Sequence, residues 1–159
     1  MHLVVSMIYN ATEEIANAGN YPKIRVFTAA LLPSVLPIEE LLDIALNWSV
    51  ASPKSIGGPT GTYFSAVCWL YGRMIHEALD GRPIGLVATS YGGTTIEVWM
   101  PPKALQDCNT TTYVINMNSD VTIQSHNQGI PTNYSSLYNS MIYPFMRMVI
   151  HGIVWYQGK

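Results

Sequence analysis

The chain has 159 residues, 48% of them hydrophobic, with four Trp and ten Tyr, enough for one domain with a substantial core. Only 11% of the residues are charged and the formal net charge is −2, with no basic run, so the electrostatic footprint of nucleic-acid binding is missing. Apolar runs break well short of the roughly 18 residues of a membrane span, and the first residues lack the basic start, long apolar centre and cleavage site of a signal peptide.

Val4, Ile8, Ala11 and Ile15 recur at helical spacing, which predicts a helix over 3–18 ended by Gly19. Lys23-Ile24-Arg25-Val26-Phe27 is rich in β-formers and reads as a strand. Beyond it Pro33 and Pro37 break the pattern, and Ile38, Leu41, Leu42 and Ala45 suggest a short helix opening at Pro37. Ser52-Pro53 and Gly57-Gly58-Pro59 mark a loop. The next helix is expected to be capped by Thr62. Its stripe is Phe64, Val67, Tyr71, Ile75 and Ala78, its polar face Arg73, His76, Glu77 and Asp80, and its stop Asp80-Gly81.

That helix feeds the stretch around which the chain is organised, Pro83-Ile84-Gly85-Leu86-Val87-Ala88-Thr89-Ser90-Tyr91-Gly92-Gly93-Thr94. The short apolar run reads as a central parallel strand covered on both faces. Gly92 and Gly93 free the backbone for close approach or positive φ, at the strand end where ligands gather in α/β sheets. Residues 101–134 then open with Pro101-Pro102 and turn Asn/Thr/Ser-rich, which predicts a surface excursion with one helical turn near Lys103–Gln106. Leu137, Met141 and Phe145 suggest a helix over 135–147, interrupted by Pro144, and Met148–Tyr156 reads as a last strand.

Three blocks resemble the sialate O-acetylesterases, the esterase branch of the SGNH hydrolases. They are Phe64-Ser65-Ala66-Val67-Cys68-Trp69-Leu70-Tyr71-Gly72-Arg73, then 83–99 with Ser90-Tyr91-Gly92-Gly93-Thr94, Glu97 and Trp99, then Gly152-Ile153-Val154-Trp155-Tyr156-Gln157-Gly158. The resemblance implies a three-layer, flavodoxin-like α/β fold with a central parallel sheet, incomplete here, with 1–159 as one partial domain. The implied activity is removal of O-acetyl groups from sialic acids or related sugars, with no cofactor, no metal and no membrane insertion. The family's nucleophilic Ser lies in a Gly-Gln-Ser-Asn-Met motif whose Met aligns with Met1, and its triad Asp and His lie further along. Neither is matched here. The resemblance therefore implies a truncated, inactive chain that keeps the oxyanion donors: a backbone N–H at Gly92 or Gly93 and the side-chain amide of Gln157. Lys159 stands where the family has Glu. Ser90, Thr94, Glu97, Trp99 and Trp155 are candidate pocket residues.

Two rival readings stand beside it. Ala88-Thr89-Ser90-Tyr91-Gly92 nearly matches the G-x-S-x-G nucleophile elbow, with His126 or His151 as base and Asp107 or Asp120 behind it. Against this, the elbow needs a helix directly after the Ser, and Gly92-Gly93-Thr94-Thr95-Ile96 is poor helix material. The other rival is a non-catalytic carbohydrate-binding fragment. His2, His76, His126 and His151 show no zinc-like spacing and read as structural or exposed.

Asn10, Asn47, Asn109 and Asn133 each open an N-x-S/T glycosylation signal, more than chance placement predicts. They point to a secretory-pathway parent, lysosomal or secreted as the family is, whereas this chain without a leader would be cytosolic. Cys68 reads as a buried thiol, and its pairing with Cys108 is left open.

Overall fold

The computed structural model describes residues 3–58, 64–108 and 133–157. The chain divides into two compact units, 1–30 with 44–92, and 31–43 with 93–159.

The first unit is built on a three-stranded sheet in the order β2-β1-β3, with β1 at Ile24–Ala29, β2 at Ile44–Val50 and β3 at Ile84–Ala88. β1 and β3 run parallel, pairing Ile24 with Ile84 and Val26 with Leu86. β2 pairs antiparallel with β1. The class is α/β, as read from the sequence, with two corrections. The middle strand is β1, whose residues are buried at all positions but Arg25, and β3 lies at the edge of the described sheet. Residues 44–50 form a strand where Ile38–Ala45 suggested a helix. Apolar spacing alone does not separate the two, and pairing with β1 decides it.

Helix α1 spans Ala11–Asn17, α2 Pro53–Gly57 and α3 Ala66–Ala78. The single helix expected over 3–18 is three pieces: a 3-10 turn at Val5–Met7, α1, and a 3-10 turn at Ala18–Asn20. Ile8 is extended and Asn10 is left-handed at φ 58°, so the first turn cannot run on into α1. α2 arises inside the predicted 52–59 loop. Ser52 and Ser55 form a reciprocal capping box there, with Pro53 opening the helix.

Ser65 caps α3, accepting the Cys68 N–H at 3.3 Å; the cap expected at Thr62 lies outside the described residues. The turn at Asp80 (φ 51°) and Gly81 (φ 74°) stops the helix as predicted. Its buried face is rotated from the predicted stripe: Ala66, Trp69, Gly72 and His76 are buried, whereas Tyr71 is 53% exposed. Gly72 is the cause. A Cβ there would stand 2.4 Å from Leu86 Cδ2, so the missing side chain lets α3 lie directly on β3. Trp69 and Phe64 then fill the core with Val5, Ile24, Val26 and Ile56, all fully buried. The Trp69 indole N–H donates to Glu14 at 2.8 Å, which ties α1 to α3. Arg73 lies between the two helices. Its Nε is 2.9 Å from Glu14 Oε1 but lacks hydrogen-bond alignment, while its guanidinium donates to Glu77 at 2.8 Å. His76 is buried rather than on a solvated face, with Nδ1 2.7 Å from the Arg82 carbonyl oxygen.

The second unit is mostly irregular. Helix α4, Pro102–Asp107, is the predicted turn near Lys103–Gln106. The helix expected over 135–147 is instead a π-helical turn at Tyr138–Ile142 followed by a 3-10 turn at Tyr143–Phe145, with Pro144 removing a donor at the junction. Val98, Leu105, Leu137 and Met141 are the unit's fully buried large apolar residues. Asn139, also buried, donates to the carbonyls of Ser34 (3.2 Å) and Val35 (3.0 Å). The strand predicted at Met148–Tyr156 is not formed. Residues 152–157 carry no assigned strand pairing among the described residues, and Val149, Ile153 and Trp155 are exposed. The β-propensity is present, but a strand exists only through pairing.

Among the described residues no helix is long and apolar enough to cross a membrane, and no three His, Cys, Asp or Glu are placed to hold a metal ion. Cys68 and Cys108 are free thiols, half-buried and exposed respectively. Asn10, Asn47 and Asn133 are exposed; Asn109 lies outside the described residues.

Candidate active site

After β3 the chain runs through Thr89, Ser90 and Tyr91 to Gly92, the last residue of the first unit. Gly93 opens the second unit with φ 78°, a conformation that glycine adopts without the Cβ clash other residues meet. Thr95 is extended, and Ile96–Trp99 makes one 3-10 turn. No helix follows Ser90 directly, so the strand–nucleophile–helix geometry of the elbow is not formed. Of its proposed partners, Asp107 is held by Lys103, whose Nζ lies 3.0 Å from both carboxylate oxygens. His151 is exposed, and Asp120 and His126 lie outside the described residues.

Within the second unit, four of the residues singled out from sequence are joined. The Trp99 indole N–H donates to Thr94 Oγ1 at 2.9 Å. Trp99 itself is 9% exposed and meets the edge of Trp155, with ring centroids 6.1 Å apart at 86°. The Trp155 N–H donates to Gln157 Oε1 at 3.2 Å, and Gln157 Nε2 donates to the Thr94 backbone carbonyl at 3.0 Å. The result is a closed circuit, Thr94–Trp99–Trp155–Gln157, standing one residue beyond Gly93.

Glu97 is attached through its backbone, whose carbonyl accepts the Ser135 N–H at 3.0 Å. Its carboxyl is held below the usual carboxylate range, first by a hydrogen bond from the Thr95 side chain and then by one from its own backbone N–H. Ser135, left-handed at φ 60° and buried, was not singled out from sequence. The only cue was its place in a polar Asn-Tyr-Ser-Ser run, which does not distinguish a buried anchor from a surface loop.

Comparison with known proteins bears on what this circuit belongs to. No family model matches the chain. The human sialate O-acetylesterase is 35% identical over 159 residues, covering all of this chain and 29% of that protein; the mouse sialate O-acetylesterase is 35% identical over 178 residues, covering all of this chain and 33% of the relative. The chain is similar in sequence to these sialate O-acetylesterases. It spans about a third of the length of these relatives. A solved carbohydrate acetylesterase from Xanthomonas citri superposes over the whole chain with a TM-score of 0.72 at 25% identity, and the chain covers 30% of it. The sialate O-acetylesterase resemblance read from the three sequence blocks therefore extends over all 159 residues.

Proposed function

We propose that this chain is the oxyanion-stabilising portion of a carbohydrate esterase that removes O-acetyl groups from sialic acids or related sugars. Homology to sialate O-acetylesterases supports the reaction class, a carboxylic ester hydrolysis. The observation that carries the reading is the position of Gln157, whose amide nitrogen is tethered to the carbonyl of the residue next to Gly93. An ester carbonyl under attack develops negative charge on its oxygen, and preorganised N–H donors stabilise that charge. The backbone N–H of Gly93 and the second N–H of Gln157, both carried by the second unit, are the donors on this reading. Among the described residues that second N–H has no acceptor. Thr94, Glu97, Trp99 and Trp155, of the same unit, shape the surroundings.

Oxyanion donors do not cleave an ester without an activated hydroxyl and a base to take its proton. His76 has its Nδ1 at the Arg82 carbonyl, and His151 matches no triad position of the family. On this reading the nucleophile and base belong to other parts of the esterase, and the chain by itself is inactive. The exposed signals at Asn10, Asn47 and Asn133 favour a parent protein of the secretory pathway, secreted or lysosomal.

Turnover of a chromogenic acetate ester tests the reading. The 159-residue chain gives none and the full-length protein turns over. Turnover by the short chain that disappears in Ser90→Ala would replace this reading with the Ser90 nucleophile.

A further inference from the structure

We infer that Trp155 is a positioning residue that sets which end of the Gln157 amide faces the substrate oxygen; the inference rests on the oxyanion reading above. An amide side chain has a donor end and an acceptor end of nearly the same shape, and its orientation is decided by its neighbours. Here both neighbours select the same orientation. The Trp155 indole can only donate, so it demands Oε1 on its side. The Thr94 backbone carbonyl can only accept, so it demands Nε2 on the other. A flipped amide would set N–H against N–H and oxygen against oxygen. The circuit thereby fixes the plane of the amide and leaves one N–H of Nε2 to donate outward.

Trp155 is itself held in two ways. Its edge-to-face contact with the buried Trp99 sets its ring, and the Trp99 N–H bond to Thr94 Oγ1 closes the same circuit on the residue whose carbonyl receives Nε2. Trp155 is half exposed, so its indole contributes less to the buried centre of the unit than Trp99 does. Loss of the indole N–H alone removes one of two tethers. The amide then samples orientations in which no N–H meets the oxyanion.

The test is a double-mutant cycle in the full-length protein, with an acetylated sugar as substrate. Trp155→Phe keeps an aromatic ring against Trp99 and deletes the donor. Gln157→Ala deletes the oxyanion donor and lowers kcat about 10²-fold. Trp155→Phe lowers kcat about 10-fold with KM within about twofold, and in the Gln157→Ala background it has no further effect. The Gln157 side-chain amide resonances also shift on Trp155→Phe in a 15N–1H spectrum. Multiplicative losses in the double variant, or amide resonances that do not move, overturn the inference while the oxyanion reading stands. An unchanged kcat in Gln157→Ala overturns both.

Discussion

Gly72 sits where α3 crosses β3, and its substitution has an effect whose sign depends on one neighbour. A Cβ at position 72 would lie 2.4, 2.6 and 3.0 Å from Cδ2, Cδ1 and Cγ of Leu86. All three atoms belong to a side chain that is 8% exposed and anchored on a paired strand, so it has little room to turn away. Overpacking of this kind costs about 1–3 kcal/mol. Ala in place of Gly inside a helix returns about 1 kcal/mol of backbone propensity. Gly72→Ala should therefore destabilise the first unit by about 0–2 kcal/mol, and Gly72→Val by more. Leu86→Ala alone should cost about 2–5 kcal/mol through lost burial and a cavity. In the Leu86→Ala background the clash is gone, so Gly72→Ala should become stabilising by about 1 kcal/mol. Urea unfolding followed by tryptophan fluorescence reads all four proteins through their midpoints. If Gly72→Ala shifts the midpoint equally in both backgrounds, the close approach of α3 to β3 is not what requires glycine.

Two further outcomes follow from the polar groups of the first unit and from the two thiols. The Glu77 carboxyl is held below its usual range, first by the Tyr21 hydroxyl at 2.6 Å and then by Arg73. A depressed carboxylate stabilises the fold above its unfolded value, and that contribution fades as pH falls through the folded value. In an NMR titration Tyr21→Phe should move the Glu77 midpoint upward, towards the ordinary carboxylate value; an unmoved midpoint contradicts the assignment. Burial pushes the Cys68 thiol up to about 12, so at pH 8 only about one part in 10⁴ is thiolate. Ellman's reagent should find one fast thiol, Cys108, and reach Cys68 only on unfolding. Two fast thiols in the native protein would refute this.

The parts legible in the sequence were those set by local chemistry. The β-formers of 23–27, the Asp80-Gly81 stop and the turn after Pro101-Pro102 each carry their own signal, and the structure places them within a residue or two of the reading. What was not legible depends on distant contacts. The apolar spacing of Ile38–Ala45 suits a helix, yet 38–43 is irregular and the chain from Ile44 onward is a strand through pairing with β1. The buried face of α3 could not be read from its large residues, because the residue that decides it, Gly72, has no side chain. Conversely, Met148–Tyr156 has the composition of a strand, but no strand pairing is assigned to it among the described residues. At the site, Gly93, Thr94, Trp99, Trp155 and Gln157 were singled out one block at a time. That Thr94, Trp99, Trp155 and Gln157 close into one circuit of hydrogen bonds and a ring contact across 63 residues is visible only in three dimensions.

The central claim is that Gln157 donates to the oxyanion of an ester under attack. Steady-state hydrolysis of an O-acetylated sialic acid by the full-length protein carrying Gln157→Ala tests it most directly. The account predicts a fall in kcat of about 10²–10³-fold with a smaller change in KM. Wild-type kcat in that variant would contradict it.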